Sequence, residues 1–319
     1  MDTRSVAILL ATYNPPIDWL CELLDSLNRQ TYPNLRLYVR DDGSKTLTLE
    51  ELDTILAEHI TAFPYVLYQN EKNMGSNETF SALVADCSEH YIAFCDQDDV
   101  WLPDKVENTV RLLENSPLHP TIVCANVRII DGEGNPIADR IDQYRRRHVF
   151  LRGEGLAPTL IFRNFALGCT MVAERERILS YRPFPAQIVH DHYLLFRAAI
   201  DGAIDYLDEP QMLYRIYGGN QTGVMTGVRT KADYYTRRIE VFAHRVARFS
   251  EYASIPALEE ATAWCRAREA NFKRERGGFR ALWQLRHVNR STSLFELFAL
   301  RMPRPIFSLA IKLIQKGYL

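Results

Sequence analysis

YIAFCDQDDVWLPDKVE, residues 91–107, decides more about this chain than any other stretch. The apolar run from Tyr91 to Cys95 predicts a short strand, and it ends in three carboxylates within four residues, Asp96, Asp98 and Asp99. An aromatic residue, a proline and an amphipathic helical pattern follow at once. Three like charges at one strand end repel one another, and a cation among them relieves the repulsion. A hard divalent ion on carboxylate oxygens, with open coordination positions, is suited to gripping a diphosphate. The plainer reading is an acidic turn in which Asp104 caps the next helix. That reading has no need of Asp96, Asp98 and Asp99 together.

Working outward, the first half alternates strand and helix. Ser5–Ala11 is apolar enough for a strand buried on both faces, and Ile17–Gln30 places apolar residues at 19, 20, 23, 24 and 27, a helical stripe. Strands at Leu35–Val39, Val66–Tyr68 and Tyr91–Cys95 alternate with helices at Leu49–Ile60 and Glu78–Ala85. Such an alternation predicts an α/β fold with a mostly parallel, Rossmann-like sheet flanked by helices. Ligands of such sheets collect at the carboxyl ends of the strands. Three of those ends carry polar or acidic loops: Thr12-Tyr13-Asn14, Asp41-Asp42-Gly43-Ser44 and the Asp96–Asp99 turn. All three point to one site.

Beyond Asn115 the pattern loosens. Thr121–Ile130 reads as a strand, Asp131–Asn135 as a hairpin turn, and Gly168–Val172 as a short buried strand. Ala203–Leu207 and Gln211–Arg215 read as two short strands before the loop Gly218-Gly219-Asn220. The charged stretch Asp139–Arg152, with Arg145-Arg146-Arg147-His148, reads as a solvated loop or helix face in preference to a phosphate-binding patch. From about Thr230 the remainder is helical, broken near Ile255-Pro256, Gly277-Gly278 and Pro303–Pro305. The expected division is a catalytic domain over residues 1–225 and a C-terminal helical extension over 226–319.

The 319 residues carry a formal net charge of −2, which argues against a nucleic-acid binder. The average conceals a split. Residues 266–319 hold twelve Lys and Arg against three Asp and Glu, and the other 265 residues hold twenty-six against thirty-seven. Six cysteines stand singly, without metal-ligand spacing, so a reducing, cytoplasmic compartment is expected. No run approaches the ~20 apolar residues that span a bilayer.

Several segments in order resemble the inverting family 2 glycosyltransferases of GT-A fold, particularly bacterial rhamnosyltransferase-like members. These are ATYN (11–14), SLNRQTYPNLRLYVRDDGS (26–44), NEKNMGSNETF (70–80), YIAFCDQDDVWLPDKVE (91–107), LGCTM (167–171), HDHYLLFRAAIDGAIDYLDEP (190–210) and YRIYGGNQTG (214–223). The resemblance covers roughly residues 4–223. It implies a nucleotide diphospho-sugar donor, Mn²⁺ or Mg²⁺, and in-line transfer to a hydroxyl with inversion. By the same resemblance Tyr13 stacks on the base, and Asp42, in preference to Asp41, accepts from its ring N3–H. Asn73, Gly75 and Asn77 lie near the nucleotide and sugar. Asp98 is the preferred metal ligand, with Asp96 facing ribose or metal-bound water and Asp99 a further candidate. Asp191 is the general base, with His190 and His192 as rivals and helix capping as its alternative role. Trp101 shapes the sugar pocket or belongs to the core.

One position departs from the pattern. Many relatives read YRxHxxN where this chain has Tyr217, a poor metal ligand. Metal binding is then expected to rest on the carboxylates, with Arg215 assisting the diphosphate. The apolar and basic stretch Arg280–Leu319 suits contact with an anionic membrane surface, or packing on the catalytic domain or a second subunit as a homodimer. The expected function is transfer of L-rhamnose from dTDP-rhamnose to a lipid-linked saccharide in bacterial surface polysaccharide synthesis. The enzyme is expected to be peripheral on the inner face of the membrane. A UDP-sugar donor (Gal, Glc or GlcNAc) is the alternative. A nucleotidyltransferase and a carbohydrate-binding module are remote ones.

Overall fold

The computed structural model describes residues 3–145, 148–217, 225 and 227–315. Arg146, Arg147 and the loop Gly218-Gly219-Asn220 lie outside them. The chain divides into two compact units, Met1–Tyr217 and Gly218–Leu319.

The first unit is built on β1 (Val6–Thr12), β2 (Leu35–Asp41), β3 (Tyr65–Gln69), β4 (Tyr91–Cys95), β5 (Val100–Trp101), β6 (Ile122–Ile130), β7 (Pro136–Ala138), β8 (Val172–Glu174) and β9 (Ile204–Arg215). Among the described residues these form one mixed sheet in the order β3-β2-β1-β4-β8-β6-β9-β5, with β7 beside β6. The parallel part, β3-β2-β1-β4, is the half that alternates with helices α1 (Ile17–Asn28), α2 (Leu49–His59), α3 (Ser76–Asp86) and α4 (Lys105–Asn115). β1 is apolar from Val6 to Ala11 and flanked on both sides, so Val6–Leu10 are fully buried. Its register sets Thr12 against Asp41 and Leu10 against Cys95, which brings the three polar strand ends to one edge of the sheet.

The second half of this unit adds the short helices α5 (Ile141–Tyr144), α6 (Ala157–Phe162) and α7 (Arg175–Leu179), and the longer α8 (His190–Asp201). Three local expectations change here. Gly168–Thr170 is a 3₁₀ turn, closed by the Thr170 hydroxyl on the Leu167 carbonyl at 2.8 Å, and the strand begins only at Val172. Ala203–Leu207 and Gln211–Arg215 are one strand, β9. It passes through Pro210 because its pairing with β6 shifts register around Asn126. Asp104 occupies the N-cap of α4 but makes no capping bond. Its backbone (φ −99°, ψ 9°) is outside the extended conformation that aims a capping side chain.

The second unit is helical: α9 (Lys231–Tyr234), a π-helical stretch Tyr235–Glu240, α10 (Val241–Phe249), α11 (Pro256–Phe272), α12 (Gly278–Gln284), α13 (Arg290–Ala299) and α14 (Arg304–Gln315). Pro256 opens α11 where its missing N–H costs nothing. Tyr234, Ile239, Leu300, Phe307 and Ile311 form one apolar cluster. Among the described residues no helix is long and apolar enough to cross a membrane.

Candidate active site

The strand-end loops are stitched together by side chains. Asn14 takes a left-handed backbone (φ 44°), and its Oδ1 accepts from the Lys45 N–H at 2.7 Å and the Thr46 N–H at 3.2 Å. Asp41 is buried and saturated. One oxygen accepts from the Thr12 and Ser44 hydroxyls, the other from the Ser44 N–H and the Gln69 amide. Asp42 is also buried, and it takes three donors, the Asn70 amide at 2.7 Å and the Met74 and Gly75 N–H groups at 2.8 Å. A carboxylate offers about four acceptor positions, so Asp41 is full and Asp42 keeps one. Gly43 is obligatory: at φ +73° an added Cβ would lie 2.8 Å from the Lys72 carbonyl carbon.

Tyr13 leaves this framework half exposed, and Asn73 is exposed. Gly75 sits at the N-cap of α3 with φ +86° and open space where a Cβ would be. Gln97 grips the Tyr13 backbone at both ends, its Oε1 accepting from the N–H at 2.7 Å and its Nε2 donating to the carbonyl at 3.2 Å. It joins the loop after β1 to the acid turn. The sequence alone does not signal this role, because a glutamine between aspartates carries no chemical signature of its own.

Within the acid turn the three carboxylates have different surroundings. Asp99 is fully buried. Its Oδ1 accepts from the Arg215 N–H at 3.0 Å, and its Oδ2 has no hydrogen-bond partner. Asp98 accepts from the Tyr217 hydroxyl at 2.7 Å. Asp96 and Asp99 converge with the Cys169 thiol, one ligand atom of each lying within 4.8 Å of the others. Asp98, the expected first ligand, is outside that cluster. Burial, then Asp98 and Asp191, push Asp96 up to about 7. Burial also raises Asp98, and burial with Asp98 and Asp96 raises Asp99 well above the carboxylate range.

Lys105, fully buried, donates to the Cys169 carbonyl at 2.8 Å and lies 2.9 Å from the centre of the Trp101 ring. Burial lowers it to about 7, against the opposing pull of Cys95, Cys169, Asp99 and Asp96. Trp101 is therefore core. An orphaned buried carboxylate oxygen among raised carboxylates is a donor set suited to a hard cation. The Cys169 thiol, held protonated by burial, is not part of such a set.

Arg215 corrects an expectation. It is buried, and its guanidinium donates to the Asp98 carbonyl at 2.9 Å, the Gly132 carbonyl at 3.2 Å and Glu22. With its backbone on Asp99 it clamps the acid turn to the β6–β7 hairpin and α1. It serves the site by positioning, not by facing a diphosphate. Tyr217 is likewise a donor to Asp98, and burial together with Asp98 raises its phenol, so it stays protonated.

Across from the acid turn, α8 begins with His190, Asp191 and His192. His190 is buried against Phe80 (ring centroids 4.5 Å apart), with both ring nitrogens unpartnered, and burial lowers it to about 4. His192 is buried and bonds the Leu160 carbonyl at 2.5 Å. Asp191 alone of the three is partly exposed, and its charge is felt by Asp96. Gly168 makes room for this arrangement, since a Cβ there would meet the His190 ring at 2.8 Å. Asn77, expected near the sugar, donates to the Pro185 and Ile188 carbonyls and accepts from the His190 N–H at 2.9 Å. Both its donors are spent on the segment that delivers Asp191, so it acts through that segment and not on a ligand.

The model of the glycosyl transferase family 2 matches residues 7–174, more than half the chain. The chain is a family 2 glycosyltransferase. This glycosyltransferase is 28% identical over 239 residues to the dTDP-rhamnosyl transferase RfbG of Shigella flexneri, covering 70% of the chain and 76% of that protein. It is 26% identical over 227 residues to an uncharacterized glycosyltransferase of Nostoc sp., covering 67% of the chain and 66% of the relative. Among solved structures it is similar to S. aureus TarS residues 1–349 in complex with UDP-GlcNAc, at TM-score 0.60 and 15% identity, over 98% of this chain and 92% of that one. It is also similar to the mannosyltransferase PcManGT of Pyrobaculum calidifontis in complex with GDP-Man and Mn²⁺, at TM-score 0.58 and 17% identity, over 98% and 86%. These likenesses establish the GT-A fold.

Proposed function

We propose that this family 2 glycosyltransferase is an inverting rhamnosyltransferase. It takes L-rhamnose from dTDP-rhamnose to a hydroxyl of a lipid-linked saccharide in bacterial surface polysaccharide synthesis, at the cytoplasmic face of the membrane. Residues 1–225 form the catalytic part and 226–319 the helical extension. The observation that carries the reading is the placement of Asp191, the partly exposed carboxylate between two inward-turned histidines, within electrostatic reach of the acid turn. The likeness to RfbG supports the donor.

Tyr13 stacks on the base and the free acceptor position of Asp42 takes its N3–H. Asn73 and Gly75 line the sugar side. Asp98 and Asp96, with Asp99, would hold Mn²⁺ or Mg²⁺, which when bound stabilises the charge of the departing diphosphate. Asp191 accepts the proton of the acceptor hydroxyl as its oxygen bonds to the anomeric carbon. The bond from that carbon to the diphosphate breaks on the opposite face, with inversion. A base so placed contributes ~10²–10⁴-fold.

The test is nucleoside diphosphate release from dTDP-rhamnose and from UDP- and GDP-sugars, with Mn²⁺ or EDTA, for the wild-type protein and Asp98→Ala. Release of dTDP alone, lost with EDTA and in the variant, is expected. Release from a UDP-sugar alone moves the donor assignment, and absence of nucleotide binding by calorimetry overturns the reading.

A further inference from the structure

The second unit carries a surface that the transfer chemistry does not use. From Arg276 to Gln315 the sequence has seven arginines and lysines and one acidic residue, Glu296. The fold withdraws that one. Glu296 is fully buried, taking the Arg268 guanidinium on both oxygens at 3.0 Å and the Tyr234 hydroxyl at 2.9 Å. Six of the seven cations are exposed and Arg286 is half-buried, so this stretch presents positive charge without an exposed carboxylate of its own.

The same stretch exposes large apolar side chains. α14 is anchored through Phe307 and Ile311, four residues apart and buried in its unit's core. A second apolar stripe, Ile306 and Leu309, is 51% and 57% exposed on the helix's outer side. Phe298 and Met302 precede it, both exposed. On α12, Phe279 and Trp283 are exposed one turn apart, with Arg301 4.6 Å from the centre of the Phe279 ring and Arg286 4.5 Å from that of Trp283. Aromatic rings under guanidinium groups, with aliphatic side chains facing water in the same stretch of chain, are the composition of an interfacial surface.

We infer that α12–α14 form a docking surface for an anionic lipid bilayer, with Ile306 and Leu309 inserting among acyl chains and Arg280, Arg301, Arg304 and Lys312 on the headgroups. Charge complementarity selects this occupant. A two-fold interface between copies brings two patches of the same sign together. A nucleic acid satisfies the charge and leaves the aliphatic stripe in water. The inference deepens the reading of the acceptor as lipid-linked, and its test is independent of turnover.

The test is flotation of the full chain with phosphatidylglycerol-containing vesicles and with neutral phosphatidylcholine vesicles, without donor, at low and high salt. Binding to the anionic vesicles that weakens with salt is expected. A basic group near such a surface adds roughly fivefold to partitioning, so Arg304→Glu should lower it by about 25-fold. Ile306→Glu with Leu309→Glu should lower it at least as much while circular dichroism and thermal unfolding stay unchanged, since both side chains are exposed. Arg111→Glu, an exposed arginine of the first unit, is the charge-matched control and should have little effect.

No binding to anionic vesicles, equal binding to neutral ones, or equal loss with Arg111→Glu overturns the inference. So does a change in molecular mass by light scattering in Ile306→Glu with Leu309→Glu without a change in flotation, which would mark a self-association face. Donor turnover that persists without vesicle binding separates this failure from failure of the rhamnosyltransferase reading.

Discussion

Two acidic turns stand at the ends of the strands on either side of β1 in the first unit. They are built from the same residue type and do different work. At Asp41-Asp42 every oxygen has a donor: four groups converge on Asp41 and three on Asp42. At Asp96–Asp99 the chain leaves Asp99 Oδ2 buried without a partner, and burial raises all three carboxylates. The first turn spends its charge on holding loops and keeps one acceptor position. The second keeps acceptor capacity unspent, within electrostatic reach of Asp191. A carboxylate saturated within the protein is scaffold, and one left short of donors is a site for something the chain itself does not supply.

That contrast can be broken in several ways. The largest effect is expected opposite the acid turn: Asp191→Asn should lower kcat by ~10²–10⁴-fold with donor affinity nearly unchanged, read by steady-state kinetics and calorimetry. If donor affinity falls equally, Asp191 belongs to the binding framework. Next comes Asp41→Asn, which loses acceptors inside a full network. It should cost about 1–3 kcal/mol of stability by denaturant unfolding, without altering the Mn²⁺ concentration needed for half-maximal rate. Asp98→Asn should do the reverse.

The acid turn also has a pH signature. Asp96 is raised from an ordinary carboxylate to about 7, so the folded state holds its proton where the unfolded state has released it. Its stabilising contribution is present below about pH 4 and is lost as pH rises toward 7. A divalent cation relieves the cost of ionisation, so Mn²⁺ should raise Tm more at pH 8 than at pH 5. An equal rise at both would place the ion elsewhere. The smallest effect is expected for Tyr217→Phe. It frees Asp98 of its hydroxyl donor and should sharpen Mn²⁺ activation a few-fold at most, against the desolvation it leaves behind.

His190 gives an independent check on the inward turn of its ring. Burial lowers it to about 4, so the unfolded chain binds its proton first. Stability is therefore lost as pH falls from 6.5 to 4, by about 3 kcal/mol from this group. His190→Leu should flatten that slope in pH-dependent denaturant unfolding.

The sequence by itself determined the alternating half of the sheet, the family, the acid turn and the polar loops beside it. Those signals are local: a strand buried on both faces must be continuously apolar, and clustered carboxylates are visible wherever they stand. Tertiary structure alone decided which polar groups are spent. Arg215 and Asn77 have the side chains of ligand-binding residues. Only the approach of Glu22, Gly132, Pro185 and Ile188, distant in the chain, consumes their donors. The partial exposure of Asp191 between two buried histidine neighbours is of the same kind. Adjacent residues of a helix point to different sides, and Phe80, Leu160 and Gly168 fix which side is core. The burial of Glu296, which strips the C-terminal surface of its one carboxylate between Arg276 and Gln315, depends on Arg268 twenty-eight residues away. Satisfaction of a polar group is a property of its surroundings in space, and no run of sequence carries it.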